Sequence, residues 1–128
     1  MTFLLDTVAI IRYFSGKGKI GKNAKNIFEN FENSDDKFVI SVISLMEIMY
    51  LSEKKRIDID FEGTISLIKN SSKYQIIDLN VEILRTTTID FYELHDRMLI
   101  ATAIWLDIPI ITNDSLISQI KELQVIWE

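Results

Sequence analysis

Cysteine is absent from this 128-residue chain, and histidine occurs once, at position 95. These absences exclude disulfides, a thiolate nucleophile, a zinc site of the cysteine type and any metal site built from several histidines. Proline also occurs once and glycine four times, so no segment has the composition of a linker or a disordered tail. The length fits one domain, residues 1–128, that can bury a substantial core.

Long hydrophobic runs are absent as well. The longest, residues 98–106, has nine residues and is too short to span a bilayer. The N-terminus lacks a basic region, and Asp6 interrupts its apolar stretch, so a signal peptide is not expected. These features predict no membrane association and a cytoplasmic location.

Positive charge is in deficit, with a net charge of −5, which argues against indiscriminate binding to polyanions. The basic residues nevertheless form two local stretches, one of four lysines within residues 17–25 and one at residues 54–56. Such stretches are usually solvated faces, and the alternative is a role in contacting phosphate groups.

Hydrophobic periodicity predicts strands that alternate with helices. The predicted strands are residues 2–5, 37–42, 74–79, 109–112 and 124–127. The predicted helices are residues 7–14, 23–31, 44 to about 55, 61–68, 81 to about 92, 95–106 and 115–120. Ser44 is expected to cap the third of these helices in a capping box with Glu47. The pattern predicts an α/β fold with a central, mainly parallel sheet of about four to five strands flanked by helices.

Four acidic residues are placed where such a fold builds its sites. Asp6, Asp96 and Asp114 lie beside apolar runs, and Glu47 lies about one helical turn beyond another. In an open α/β sheet, ligand sites form outside the carboxyl ends of the strands, so these residues can converge in space. Clustered carboxylates repel one another unless their pKa values rise or a hard cation neutralises them. The sequence therefore predicts a site for Mg²⁺ or Mn²⁺.

Each acid also has an ordinary structural explanation. Asp6, Asp96 and Asp114 stand where helices could begin, and aspartate is a favoured helix cap. Glu47 could be no more than the partner of Ser44 in the capping box. However, Glu47 lies in a largely apolar stretch, where a lone buried carboxylate is costly unless it is paired or bound to metal.

Other polar residues near these acids have two interpretations each. His95 could be a general acid or base, although a lone histidine beside a helix start is more often a surface or capping group. Arg97 could neutralise Asp96 or Asp114, or contact a phosphate. Thr7 and Thr112, next to strand-end acids, could hold a carboxylate or a water molecule, or act as caps.

A glycine-rich segment resembles two nucleotide-binding motifs. Residues 16–21 satisfy G-x-G-x-x-G and residues 16–22 satisfy G-x-x-x-x-G-K. A Walker A loop next requires Ser or Thr, whereas position 23 is Asn. A dinucleotide fingerprint must directly follow a buried strand, and the buried strand is predicted to end at Leu5. A lysine-rich surface loop is the better interpretation.

Four segments, in order and at the right spacing, resemble the PIN-domain ribonucleases, in particular the small toxins of VapBC toxin–antitoxin pairs. They are residues 4–8 (LLDTV), 42–48 (VISLMEI), 95–103 (HDRMLIATA) and 110–114 (IITND). The resemblance covers essentially the whole chain. It implies a PIN-like fold and an endoribonuclease that uses Mg²⁺ or Mn²⁺ to hydrolyse RNA phosphodiester bonds.

The resemblance also implies roles for residues. Asp6, Glu47, Asp96 and Asp114 would form the acidic metal pocket, with Asp6 and Asp96 as direct ligands. Thr112 would organise that pocket. The lysines of residues 16–25 could steer RNA toward it.

Small toxins of this kind are usually homodimers held inactive by a cognate antitoxin. The groove for an antitoxin could be formed by Ile43, Leu45, Met49, Leu51 and the helix 61–68, although such residues are often core. One alternative function is an RNA-processing PIN nuclease without an antitoxin. Another is a non-catalytic α/β binding module in which the acids are caps. An Asp-nucleophile phosphatase fits poorly, since its Asp-x-Asp signature would need Asp where Val8 stands.

Overall fold

A computed structural model describes residues 1–86 and 93–128 of the chain. In these residues five strands alternate with six α-helices, which confirms the predicted alternation with one α-helix fewer than the seven predicted. The strands are β1 (Thr2–Leu5), β2 (Lys37–Ser41), β3 (Tyr74–Ile77), β4 (Ile110–Ile111) and β5 (Val125–Ile126). The helices are α1 (Thr7–Ser15), α2 (Lys22–Asn30), α3 (Val42–Glu53), α4 (Phe61–Lys69), α5 (Val81–Leu84) and α6 (Leu94–Leu106).

The five strands form one sheet in the order β3-β2-β1-β4-β5, and every neighbouring pair is parallel. The chain builds β2 and β3 on one side of β1, and then β4 and β5 on the other. The gap between β1 and β4 is therefore the point at which the strand order reverses, which is where open α/β sheets bind ligands. The register pairs Leu5 with Ile111, so the residues that follow them lie side by side.

Both faces of the sheet are buried. In β1, Phe3 and Leu5 belong to one hydrophobic cluster and Leu4 to the other, on the opposite face. Successive strand residues point to opposite faces, and helices cover both faces of a parallel sheet. The largely apolar composition of the strands fits this burial on both faces. No helix in the described part of the chain is long and apolar enough to cross a membrane.

The start of α3 differs from the prediction. Ser41, the last residue of β2, is the N-cap, and its hydroxyl accepts a hydrogen bond from the Ile43 backbone N–H at 3.2 Å. The capping box of Ser44 with Glu47 is therefore wrong. Strand and helix are joined without a loop, so Ser44 lies within the first turn, and its buried hydroxyl accepts a hydrogen bond from Thr7 Oγ1 instead.

Several predicted elements are shorter in the structure. The strands predicted at 109–112 and 124–127 keep two paired residues each, and the helix predicted at 115–120 is a 3-10 turn at Ile117–Gln119. The helix predicted at 81 to about 92 is confirmed only over Val81–Leu84, because α5 ends there with Arg85 as its C-cap. Residues 87–92 of that prediction lie outside the described part of the chain. The helix predicted at 95–106 is confirmed as α6.

Candidate active site

Asp6 stands at the carboxyl end of β1, beside the end of β4. Its Oδ1 accepts a hydrogen bond from the Ala9 backbone N–H at 2.8 Å, so it caps α1. Its Oδ2 accepts a hydrogen bond from the hydroxyl of Thr112, which follows β4 directly. Asp6 is 8% exposed and Thr112 is 1% exposed. The parallel pairing of β1 with β4 thus orients a buried carboxylate by two donors from separate segments.

Asp114 is tied to the same hydroxyl. Its backbone N–H donates to Thr112 Oγ1 at 3.0 Å, so that one hydroxyl donates to Asp6 and accepts from Asp114. The Asp114 carboxylate accepts from the backbone N–H groups of Leu116 and Ile117, at 2.8 and 3.2 Å. The turn after β4 is therefore held so that two carboxylates face the same space.

The other two acids come from helices. Glu47 is half-buried on α3, and among the described residues it has no hydrogen-bond or salt-bridge partner. Asp96 is half-buried in the first turn of α6. The N-cap of that helix is Glu93, whose Oε1 accepts hydrogen bonds from the backbone N–H groups of His95 and Asp96.

All four predicted acids line one pocket of about 320 Å³ at the strand switch point. Capping and pocket formation are compatible, because Asp6 and Asp114 make capping hydrogen bonds and still line it. The cap interpretation is wrong for Asp96 and Glu47, whose helices are capped by Glu93 and Ser41. Further residues lining the pocket include Thr7, Arg12, Glu93, His95 and Asn113. Thr112 lies beneath the pocket and acts on it through Asp6.

Burial, together with the crowding of negative charge, raises the pKa values of two acids in this pocket. Burial raises the pKa of Asp96 to about 6, and the negative charges of Asp114, Glu93, Asp6 and Glu47 add to the rise. Burial likewise raises the pKa of Asp6, while the hydrogen bonds from Thr112 and Ala9 oppose that rise. Ionised carboxylates that destabilise one another in this way are stabilised by a bound cation.

The donor set suits a hard divalent ion. Carboxylate oxygens are the preferred side-chain ligands of Mg²⁺, and five carboxylate side chains line this pocket, those of the four predicted acids and of Glu93. In residues 1–86 and 93–128, no three or more His, Cys, Asp or Glu side chains are arranged so that all could hold one ion. Mg²⁺ does not require such a cage, because it keeps several waters and is usually bound by one or two carboxylates. The pocket therefore fits a partly hydrated divalent ion.

Sequence reasoning missed two charged residues of the pocket. Glu93 caps α6 although glutamate is not among the favoured N-cap residues, so the local pattern gave no signal for it. Arg12 lines the pocket, and its side chain is held by the carbonyl oxygen of Lys19 and by the ring of the distant Trp127, a contact that no local pattern reveals.

Arg97 was expected to neutralise Asp96 or Asp114 or to contact a phosphate. It does not line the pocket, forms no salt bridge within the described residues, and has a buried Nε without a hydrogen-bond partner there. Since Arg97 follows Asp96 directly on a helix, its side chain projects about 100° away from that of Asp96. His95 does line the pocket, with its Nδ1 at 3.6 Å from Glu93 Oε1.

Comparison with known proteins agrees with this architecture. The model of the PIN domain family matches residues 3–123. A toxin–antitoxin complex from Klebsiella pneumoniae contains a similar chain, with 24% identity, a TM-score of 0.68 and coverage of 96% of this chain and 94% of that one. DNA-bound VapBC from Salmonella typhimurium is similar at 18% identity and a TM-score of 0.66, covering 98% and 97%.

VapBC2 from Rickettsia felis, bound to a DNA fragment from its promoter, is similar at 20% identity and a TM-score of 0.64, with full coverage of both chains. At these identities the structural likeness establishes the fold. Among curated proteins, none matches the sequence significantly.

Proposed function

This chain belongs to the PIN domain family, and we propose that it is a cytoplasmic, divalent-metal-dependent endoribonuclease, the toxin of a type II toxin–antitoxin pair. The observation that carries this proposal is the convergence of Asp6, Glu47, Asp96 and Asp114 in one pocket at the strand switch point. Four carboxylates without a matching number of cations repel one another. A bound divalent ion would offset that repulsion and could act on a phosphodiester bond.

Asp6 and Asp96 are the proposed direct ligands of Mg²⁺ or Mn²⁺. Both oxygens of Asp6 already accept one hydrogen bond each, which orients the carboxylate and leaves a second lone pair on each oxygen. Asp96 lies in the first turn of a rigid helix, which limits its movement. The bound ion would supply charge stabilisation at the phosphodiester and activation of a water molecule.

Glu47 and Asp114 have a supporting role in this proposal. Glu47 has no hydrogen-bond or salt-bridge partner among the described residues, so its oxygens are available to accept a proton or a hydrogen bond in the pocket. Asp114 is held by three backbone and side-chain hydrogen bonds at the turn after β4. Both would complete the acidic pocket as metal ligands, directly or through water. Thr112 is a positioning residue, because it touches Asp6 rather than the pocket.

An antitoxin is the proposed partner, and an apolar groove between α3 and α4 is its proposed site. The groove has a volume of about 600 Å³ and is lined by Ile43, Leu45, Met46 and Met49 together with residues of α4. Met46 and Met49 are 51% and 42% exposed and lie together in this groove, and a contiguous exposed apolar surface is a feature of docking sites. Leu51 does not line this groove, and Leu45 is largely core. We also expect a homodimer, which light scattering tests.

A second candidate function is a non-catalytic binding module. The capping hydrogen bonds of Asp6 and Asp114 favour it, because they give these two acids a structural role. Capping does not explain why Glu47 and Asp96 line the same pocket, because neither caps its helix. The binding-module function also predicts that Mn²⁺ does not stabilise the fold. An RNA-processing PIN nuclease would have the same pocket and no antitoxin. The antitoxin-binding test of the groove variants in the Discussion distinguishes it from a toxin.

The decisive experiment is cleavage of a mixed RNA pool with Mg²⁺ or Mn²⁺, comparing the wild type, Asp96→Asn and an EDTA control. Asp35→Asn is the matched variant, since Asp35 is exposed and lies outside the pocket. We expect metal-dependent cleavage by the wild type and by Asp35→Asn, and loss of cleavage in Asp96→Asn. Absence of both cleavage and Mn²⁺-induced thermal stabilisation in the wild type would favour the binding module.

A further inference from the structure

Positive charge is concentrated at the margins of the acidic pocket, although the chain carries a net charge of −5. Two clefts adjoin the pocket, of about 520 and 690 Å³. Their linings contain seven of the chain's fourteen basic residues, namely Arg12, Lys17, Lys19, Lys22, Lys25, Lys55 and Arg56. The two basic stretches of the sequence, far apart in the chain, thus both contribute to clefts that share Arg12.

Arg12 connects the three cavities. It lines the acidic pocket and both basic clefts. Its Nη1 donates a hydrogen bond to the Lys19 carbonyl oxygen at 2.6 Å, and its guanidinium carbon lies 5.9 Å from the centre of the Trp127 ring. Two contacts on different segments therefore hold this cation at the edge of the pocket.

The glycines that imitate a nucleotide-binding motif shape the loop around Arg12. Gly18 has a φ of +94°, and a Cβ there would lie 3.0 Å from Arg12 Nε. A Cβ at Gly21 would overlap the carbonyl oxygen of Trp127. Glycine at these positions lets the lysine-bearing loop close over Arg12 and against the end of the sheet. The motif is thus explained by packing without a bound nucleotide.

In both clefts the positive charge is only partly compensated by acidic residues. In the larger cleft, Lys17 forms a salt bridge with Asp58 at 2.7 Å. In the smaller cleft, Lys19 and Lys22 have no acidic partner within the described residues, and Lys25 lies 3.8 Å from Glu29. Glu128 is the one acidic residue among those lining this cleft. By their lining residues the two clefts are equally basic, with four basic residues and one acidic residue each. The smaller cleft is the one that shares both Arg12 and Asn113 with the acidic pocket, whereas the larger shares Arg12 alone.

We propose that Arg12, Lys19, Lys22 and Lys25 form a phosphate-binding subsite that holds the backbone of a single-stranded RNA next to the acidic pocket. This inference rests on the proposed nuclease function, since it assigns the position of that enzyme's substrate. An acidic pocket repels a polyanion, and cations beside it offset that repulsion and retain the strand. Exposed lysines contact phosphates without reading bases, so binding at this subsite tolerates any sequence.

The test compares two triple variants with equal loss of charge. Lys19→Ala/Lys22→Ala/Lys25→Ala removes the subsite lysines, and Lys37→Ala/Lys69→Ala/Lys121→Ala removes three exposed lysines that line neither the pocket nor the clefts. Binding of a fluorescent single-stranded 12-mer RNA is measured by anisotropy over a range of salt concentrations. All proteins carry Asp96→Asn, so that the RNA stays intact.

We expect the subsite variant to bind roughly tenfold more weakly at low salt. The slope of its log binding constant against log salt concentration should be shallower by about two, because fewer counterions are released from the RNA. The control variant should stay close to its parent. With active protein, the fall in kcat/KM of the subsite variant should be larger for a 12-mer than for a 3-mer, because a 3-mer has only two internucleotide phosphates to share between the acidic pocket and the lysines.

Equal weakening by the two triple variants, or no RNA binding by their parent, would overturn the subsite. If the wild type binds RNA through these lysines but does not cleave it, the subsite is retained and the nuclease function is overturned. Metal-dependent cleavage that is equally fast in both triple variants would overturn the subsite and leave the nuclease function standing.

Discussion

The hydroxyl of Thr112 donates a hydrogen bond to Oδ2 of Asp6, joining two residues 106 positions apart in the sequence. The parallel pairing of β1 with β4 produces this contact, because Leu5 is paired with Ile111 and the next residue of each strand lies beside the other. The same hydroxyl accepts the backbone N–H of Asp114. One buried threonine thus sets the relative positions of two acids of the pocket.

Thr112→Val is expected to raise the pKa of Asp6 further, because it removes a hydrogen bond that favours the ionised carboxylate. The acidic limb of the pH–activity profile should therefore move to higher pH. We also expect a loss of about 1–3 kcal/mol in the free energy of unfolding, the usual cost of removing the donor to a buried charged group. Thr112→Ser keeps the hydroxyl and should behave like the wild type. Identical pH profiles for Val and Ser would contradict this role.

Asp96→Asn should change how stability depends on pH when no divalent ion is present. The folded protein retains the Asp96 proton up to about pH 6, whereas the ordinary pKa is 3.8. Unfolding therefore releases a proton between these values, and stability falls as the pH rises from about 4 to about 6. Asp96→Asn has no proton to lose at this position. We therefore expect its free energy of unfolding at pH 7 to exceed that of the wild type by about 1 kcal/mol, after allowance for solvent screening.

Urea unfolding in EDTA at pH 4.5 and pH 7.5 measures this difference. Asp35→Asn is the control, because it changes the net charge equally at an exposed position. A wild type and an Asp96→Asn variant that lose the same stability between the two pH values would refute the assignment.

Gly18→Ala is expected to destabilise the protein by about 1–3 kcal/mol, since L-residues rarely adopt a φ of +94°. The added Cβ would also press on the Arg12 side chain. Urea unfolding measures the loss, and the position of Arg12 can be followed through the fluorescence of Trp127. Lys19→Ala, on the same loop, should unfold like the wild type. Equal stability of the two variants would show that the loop adapts without cost.

Met46→Glu should weaken binding of an antitoxin, because it places a charge in the apolar groove between α3 and α4. The fold should be unaffected, since Met46 is 51% exposed. Leu67→Glu is the matched control, because Leu67 is equally exposed on α4 and lies outside the groove. Co-purification with the product of the adjacent gene measures binding. Equal retention of that partner by the two variants would exclude the groove as its site.

Much of the architecture could be predicted from the sequence. The alternation of strands with helices and the largely apolar strands can be recognised in short stretches of sequence. They therefore predicted the parallel sheet, its five strands and α6. The convergence of the four acids followed from one general rule, that strands in such a sheet end at the same edge. The ends of elements were harder to predict, as at Ser41 and Ser44, where two nearby hydroxyls compete for one cap.

The sequence by itself thus determined the fold class and the gathering of four of the five pocket acids, because both depend on local periodicity and on chain direction. Only the tertiary structure decided what each polar side chain contacts. Thr112 lies beneath Asp6 because of the register between two strands, and Arg12 reaches the pocket because Lys19 and Trp127 hold it there. Such contacts join segments that are distant in the chain, so their geometry depends on packing across the whole domain, which no local pattern encodes.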